Sequence, residues 1–177
     1  MSPIIHAAVG WLIGHRLERR RDRIAITVLA VAPDVDGLGL LVSEDLYLAW
    51  HHRLAHGAIA AVVAVVVGAA LVRPRLRGAV LACAAFHSHI VMDLVGSGPG
   101  WPILYGWPVV DTEWLPSFQW NLASWQNTVI GLCVIVACLA VALTSARRTP
   151  VEVFSVRADD AVVRTLRARF DGGTRSA

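Results

Sequence analysis

The sequence predicts an all-α protein, a polytopic bundle of transmembrane helices with about five membrane segments and a C-terminal amphipathic helix. Of its 177 residues 56% are hydrophobic and only 16% are charged, where a soluble domain carries about 25% charged residues. The mean hydropathy is +0.58. From Asn127 to Ala146 no ionisable side chain apart from cysteine occurs, and about 20 such residues at 1.5 Å rise cross a hydrocarbon core of about 30 Å. The net charge of +3 comes in short arginine clusters between apolar runs, which reads as membrane topology and not as a nucleic-acid surface.

The opening apolar run Pro3–His15 precedes its basic cluster, the reverse of the order in a cleavable signal, so the N-terminus is expected to be retained. Arginines concentrate at Arg16 to Arg23, Arg73 to Arg77 and from Arg147 onward, and all three clusters are expected on the cytoplasmic side. The segments then run inward over Pro3–His15, outward over Ile24–Asp36, inward over Leu54–Val72, outward over Gly78–Val95 and inward over Ser124–Ala146. The first two are short, and a re-entrant pair is an alternative to two full spans. Asp34, Asp36, Glu44, Asp45, Asp93, Asp111 and Glu113 fall on the far side, where Arg53 is the one arginine. The Gly/Pro-rich connection from Gly96 to Trp125 holds Trp101, Tyr105, Trp107, Trp114 and Trp120, which suits an interfacial aromatic belt or a lid. Beyond Arg148 the chain turns polar, and Val162, Leu166 and Phe170 recur at helical spacing beside Arg164, Arg167 and Arg169, an amphipathic helix lying on the membrane. The expected organisation is a membrane-embedded unit over 1–146 and a basic cytoplasmic tail over 147–177. Cys83, Cys133 and Cys138 lack paired spacing and read as buried thiols.

Ionisable residues inside membrane segments cost about 2.5–3.5 kcal/mol each on insertion scales, so several together call for pairing, hydration or a metal. They occur at His6, at Pro33-Asp34-Val35-Asp36, at His51-His52-Arg53-Leu54-Ala55-His56, and at His87-Ser88-His89-Ile90-Val91-Met92-Asp93. His52 and His56 are four residues apart, as are His89 and Asp93, so on helices each pair shares a face. Counted from the arginine clusters at 1.5 Å per residue, all four stretches reach the outer half of the bilayer, about 16–25 Å up. Imidazole and carboxylate donors together suit zinc, with manganese or iron as alternatives. The candidate ligands are His6, Asp34, Asp36, one of His51 and His52, His56, His89 and Asp93. Asp34 or Asp36 is the candidate base, and His87 and Arg53 are expected to support the ligands from behind, since His87 points away from His89 on a helix.

These stretches, in this order, resemble the YdjM-like family of membrane-bound metal-dependent hydrolases. The resemblance spans about His6 through Asn127. It rests on the early His6, Pro33 to Asp36, His51 to His56, His87 to Asp93, Asp93 to Pro99, Trp101 to Ile103 and Trp125 to Asn127. Many relatives carry Thr where this chain has Ala55. The resemblance implies a polytopic inner-membrane protein with metal-dependent hydrolysis, and the His89-x-x-x-Asp93 helix also looks like that of all-helical zinc phospholipases.

The function expected is a hydrolase in which the metal activates water against a lipid or lipid-linked phosphate or ester. The alternatives are a metal-ion or proton transporter or channel using the same cluster, and a non-enzymatic membrane adaptor whose tail recruits a protein partner. The bilayer is the expected partner, with no nucleic acid, and the protein is expected to be multi-pass in the inner membrane with a cytoplasmic C-terminus.

Overall fold

The computed structural model describes residues 1–170, so the last seven positions of the expected tail, 171–177, lie outside the described residues. Among the described residues the chain is all-helical. Its α-helices are α1 (Pro3–Gly14), α2 (Arg20–Val31), α3 (Glu44–Trp50), α4 (Ala58–Leu71), α5 (Arg75–Gly96), α6 (Trp125–Leu143) and α7 (Val156–Phe170). A 3₁₀ run, Ala32–Leu41, follows α2, and a single 3₁₀ turn, Pro150–Val153, precedes α7. Extended backbone pairs only at an isolated bridge between Ile103 and Trp114.

Three helical stretches are long and apolar enough to cross a membrane: Arg20–Leu41, Arg75–Gly96 and Trp125–Leu143. The apolar helices α1 and α4 are shorter, at 12 and 14 residues. The second segment is therefore not one of the short ones. Pro33 has no N–H to continue an α-helix, but the 3₁₀ pattern carries the chain on to Leu41. The third segment begins at Ala58 and not at Leu54: residues 51–57 form turns and bends, with His52 left-handed (φ 64°) and Gly57 extended as the N-cap (ψ 175°). His52 and His56 accordingly do not share a helical face; they lie on an irregular stretch between α3 and α4.

In lipid, close packing does the work that the hydrophobic effect does in water, and small residues allow it. Gly10 of α1 lies where any Cβ would run into Ala30 of α2, and Gly68 of α4 and Gly78 of α5 leave no room for one between their backbones and Ala82. Trp11, Ile26, Ala82, Ala85 and Phe86 fill the space between these helices. By contrast Val129, Leu132, Ile135 and Val136 of α6 are exposed, a face composed for acyl chains.

The arginine-rich end is closed by the 3₁₀ turn. Glu152 accepts from Arg23 Nε and Nη2 at 2.6 and 2.5 Å and from Trp11 Nε1 at 2.9 Å. Arg20 donates to the Glu152 and Val153 carbonyls. Burial raises the pKa of the Glu152 carboxyl, but the hydrogen bonds from Arg23 and Trp11 outweigh it and hold the group below its ordinary value. The following helix α7 buries Val163, while Phe170 of the expected apolar stripe is exposed. Asp159 at its start takes the Thr149 N–H and hydroxyl, tying α7 to the turn.

Candidate metal centre

At the opposite end α5 projects His89 and Asp93 from one face, with His89 Nε2 2.9 Å from Asp93 Oδ2. The irregular stretch after α3 delivers His56, whose Nε2 lies 3.3 Å from His89 Nε2 and 3.6 Å from Asp93 Oδ2. The 3₁₀ run delivers Asp34, with Oδ1 3.6 Å from His89 Nε2. One ligand atom from each of these four residues falls within 4.8 Å of all the others, a grouping able to hold a metal ion. From α1, His6 stacks on His89 with ring centroids 3.7 Å apart and places Nε2 3.1 Å from Asp93 Oδ1. The backbone nitrogen of Met1 also contacts Asp93 Oδ1. His6, His56 and His89 are fully buried, and Asp93 is nearly so.

The tautomers of the two central histidines follow from their other nitrogens. His89 Nδ1 lies 2.8 Å from the Ala30 carbonyl, which can only accept, so Nδ1 carries the proton. His56 Nδ1 lies 2.8 Å from Asp36 Oδ2 and donates to it. In the neutral ring each Nε2 is then a bare lone pair. In that state two lone pairs face each other and face the oxygens of Asp93 and Asp34, so acceptors meet acceptors unless a ring takes a second proton. A cation resolves that conflict, and a carboxylate or carbonyl behind each imidazole is the arrangement that orients metal-binding histidines.

Asp36 therefore stands behind the ligands. Its oxygens are occupied by His51 Nδ1 at 2.9 Å, His56 Nδ1 at 2.8 Å and the Ala55 N–H at 3.2 Å. With His51 and His56 it forms a second, overlapping donor group. Both nitrogens of His52 are buried without a hydrogen-bond partner, as are Asp34 Oδ2 and His6 Nδ1. Its Nε2 lies 3.8 Å from Asp93 Oδ2. A neutral His52 ring therefore keeps a lone pair free for a ligand. Orphaned nitrogens on a left-handed backbone are the combination expected where structure is held for function. The donor chemistry and the orphaned atoms both fit a divalent metal.

Two supporting positions lie elsewhere than expected. His87 faces away from the cluster, bonding the Cys83 carbonyl and, at 2.8 Å, the Tyr105 hydroxyl, and so fastens the aromatic loop to α5. Arg53 is exposed at the rim of a cavity and not behind the ligands. In the loop, Trp101 packs edge-on against His51 and His52 at 5.8 and 5.9 Å. Asn127 bonds the Gly96 carbonyl and the Trp120 indole, anchoring the loop's far end. Tyr47, stacked on His51 at 4.7 Å, and the Ala30 carbonyl were not anticipated from the sequence. Tyr47 stands four residues before His51, a spacing visible in the chain, whereas a backbone carbonyl leaves no sequence signal.

The chain belongs to the YdjM inner membrane protein family, whose model matches residues 1–153 and so takes in both the histidine–aspartate cluster and Glu152. No curated protein and no solved structure matches it.

Proposed function

We propose that this inner-membrane protein is a metal-dependent hydrolase acting on a lipid or lipid-linked phosphate or ester. The observation that carries the reading is the crowd of buried atoms His56 Nε2, His89 Nε2, Asp93 Oδ2 and Asp34 Oδ1, all of them acceptors while the two rings are neutral. His56, His89, Asp93 and Asp34 would hold the metal, with His52 and His6 placed to complete the set. Mixed nitrogen and oxygen donors favour zinc, and manganese or iron suit the same set. A divalent ion there would supply Lewis-acid polarisation and activation of water.

The chain's own groups divide the remaining work. Asp36 fixes the His56 ring and, through Ala55 N–H, the backbone beside it. Asp34 keeps Oδ2 buried and without a partner on a side chain that is otherwise partly exposed, so it is the carboxylate free to take a proton from a water held at the site. His51, on the other Asp36 oxygen, lines the adjoining cavity and can pass a proton to a leaving group. In this reading the arginine-rich end and the C-terminus face the cytoplasm, and the cluster opens toward the outer leaflet.

Transport of an ion or proton through the cluster finds less support. Between the cluster and Arg23 the buried side chains of α4 and α5 are Ala61, Ala64, Ala82, Ala85 and Phe86, and Thr27 of α2 spends its hydroxyl on the Arg23 carbonyl. An adaptor role through a free tail is likewise weakened by the docking of Glu152 against Arg23. Incubating metal-loaded protein with a total lipid extract should release a hydrolysis product, and Asp34→Asn should lower turnover by about 10²–10⁴-fold, the range of a lost general base. Turnover of no lipid substrate by protein that retains its metal would remove the hydrolase reading.

A further inference from the structure

Beside the cluster opens a cavity of about 260 Å³, whose lining includes Leu48, His51, Arg53, Trp101, Leu104 and Glu113. Trp101 is the wall it shares with the histidines, and positive φ at Gly98 and Gly100 (121° and 87°) lets the preceding turn bring that ring down. Arg53 and Glu113 are both exposed, and neither side chain has a hydrogen-bond or ion-pair partner among the described residues. The cavity thus presents one cation, one anion and one aromatic face, the two charges being unpaired with each other. Its volume lies just below the 300–1,000 Å³ or so of pockets for drug-sized ligands, which suits a headgroup and not a whole lipid.

Resting on the hydrolase reading, we propose that this cavity seats the zwitterionic headgroup of a phospholipid, its phosphate on Arg53 and its ammonium between Glu113 and the Trp101 face. Guanidinium matches phosphate through paired N–H donors. An ammonium is drawn both to a carboxylate and to an indole face. A single-sign anion satisfies Arg53 but meets Glu113 as a repulsion, so the pair selects against a headgroup that has phosphate without amine. Seated there, the lipid's ester bonds lie one side-chain layer, that of Trp101 and His51, from the histidine–aspartate cluster.

Calorimetric titration of the full chain in detergent, with and without zinc, would use short-chain phosphatidylethanolamine, short-chain phosphatidylglycerol and free phosphoethanolamine. The ethanolamine lipid should bind about tenfold more tightly than the glycerol lipid, the equivalent of one charge-assisted contact. Arg53→Gln should weaken both lipids about tenfold, whereas Glu113→Gln should erase the preference and spare the glycerol lipid. Both residues are exposed, and unchanged thermal unfolding of the variants would confirm that they fold. Equal affinity of the wild type for the two lipids, or a preference that survives Glu113→Gln, would overturn the proposal. Free phosphoethanolamine binding as tightly as the lipid would overturn the lipid as ligand. The metal content of the same samples separates the two claims: the preference without metal leaves the headgroup site and removes the hydrolase, and metal without the preference does the reverse.

Discussion

Both ends of the bundle bury charge, and they do so in opposite ways. At the arginine-rich end the Arg23–Glu152 pair is complemented in full: Arg23 gives Nε and Nη2 to Glu152 and Nη1 to the carbonyls of Leu17 and Glu18, and Trp11 adds a further donor. At the other end His56, His89, Asp34 and Asp93 turn acceptors toward one another while the rings are neutral, and neither ring nitrogen of His52 has a hydrogen-bond partner. The first cluster is complete as protein and holds the chain together. The second, with its rings neutral, leaves acceptors facing acceptors, and a cation would complete it. Buried polarity by itself does not mark a functional site; the mismatch between donors and acceptors does.

The contrast breaks most visibly at Glu152. Glu152→Ala leaves the Arg23 guanidinium buried and unpaired, which should cost about 3–5 kcal/mol of stability. Thermal unfolding in detergent would register the loss, and metal content should be unchanged. Stripping metal with a chelator is the converse perturbation, expected to lower wild-type stability by about 2.7 kcal/mol where metal had been present at 100 times its dissociation constant. Equal unfolding with and without chelator would argue that both clusters are complete as protein.

Asp36→Asn tests the support behind the ligands. It keeps the shape but weakens the hold on His56 and His51, and metal affinity should fall about 10–100-fold without vanishing, as competition with a chelating dye would show. Smaller still is the acid limb. Because the folded pKa of Glu152 is depressed, its stabilising contribution is present above the ordinary value of 4.5 and is lost as pH falls through the folded value. The stability gap between wild type and Glu152→Gln should therefore be constant at neutral pH and narrow below about pH 4.5. A gap independent of acid would mean that the carboxylate charge contributes nothing.

The sequence made the functional end more legible than the structural one. His89 and Asp93 could be paired because α-helical spacing is regular and α5 is a regular helix. The same rule applied to His52 and His56 reached the right neighbours by the wrong route: they meet through a left-handed turn around Asp36, a tertiary arrangement that spacing does not encode. Asp34 and Asp36 were indistinguishable as letters two apart. Only the donors around each, three on Asp36 and none on Asp34 Oδ2, separate a positioning carboxylate from a reactive one. Glu152 was invisible because a lone acid in a polar tail reads as solvated. Its partner Arg23 lies 129 residues away, in a cluster where Arg16, Arg19 and Arg21 are exposed.

The central claim is that a metal ion would close the histidine–aspartate cluster, whereas Arg23 and Glu152 close theirs with protein alone. Elemental analysis of detergent-purified wild type, Asp93→Ala and Glu152→Ala, each verified as folded, tests it most directly. The account predicts stoichiometric divalent metal in the wild type, its loss in Asp93→Ala and its retention in Glu152→Ala. Wild-type protein that stays metal-free after reconstitution with zinc, manganese and iron would contradict it, and would leave the clustered histidines as a protonated network.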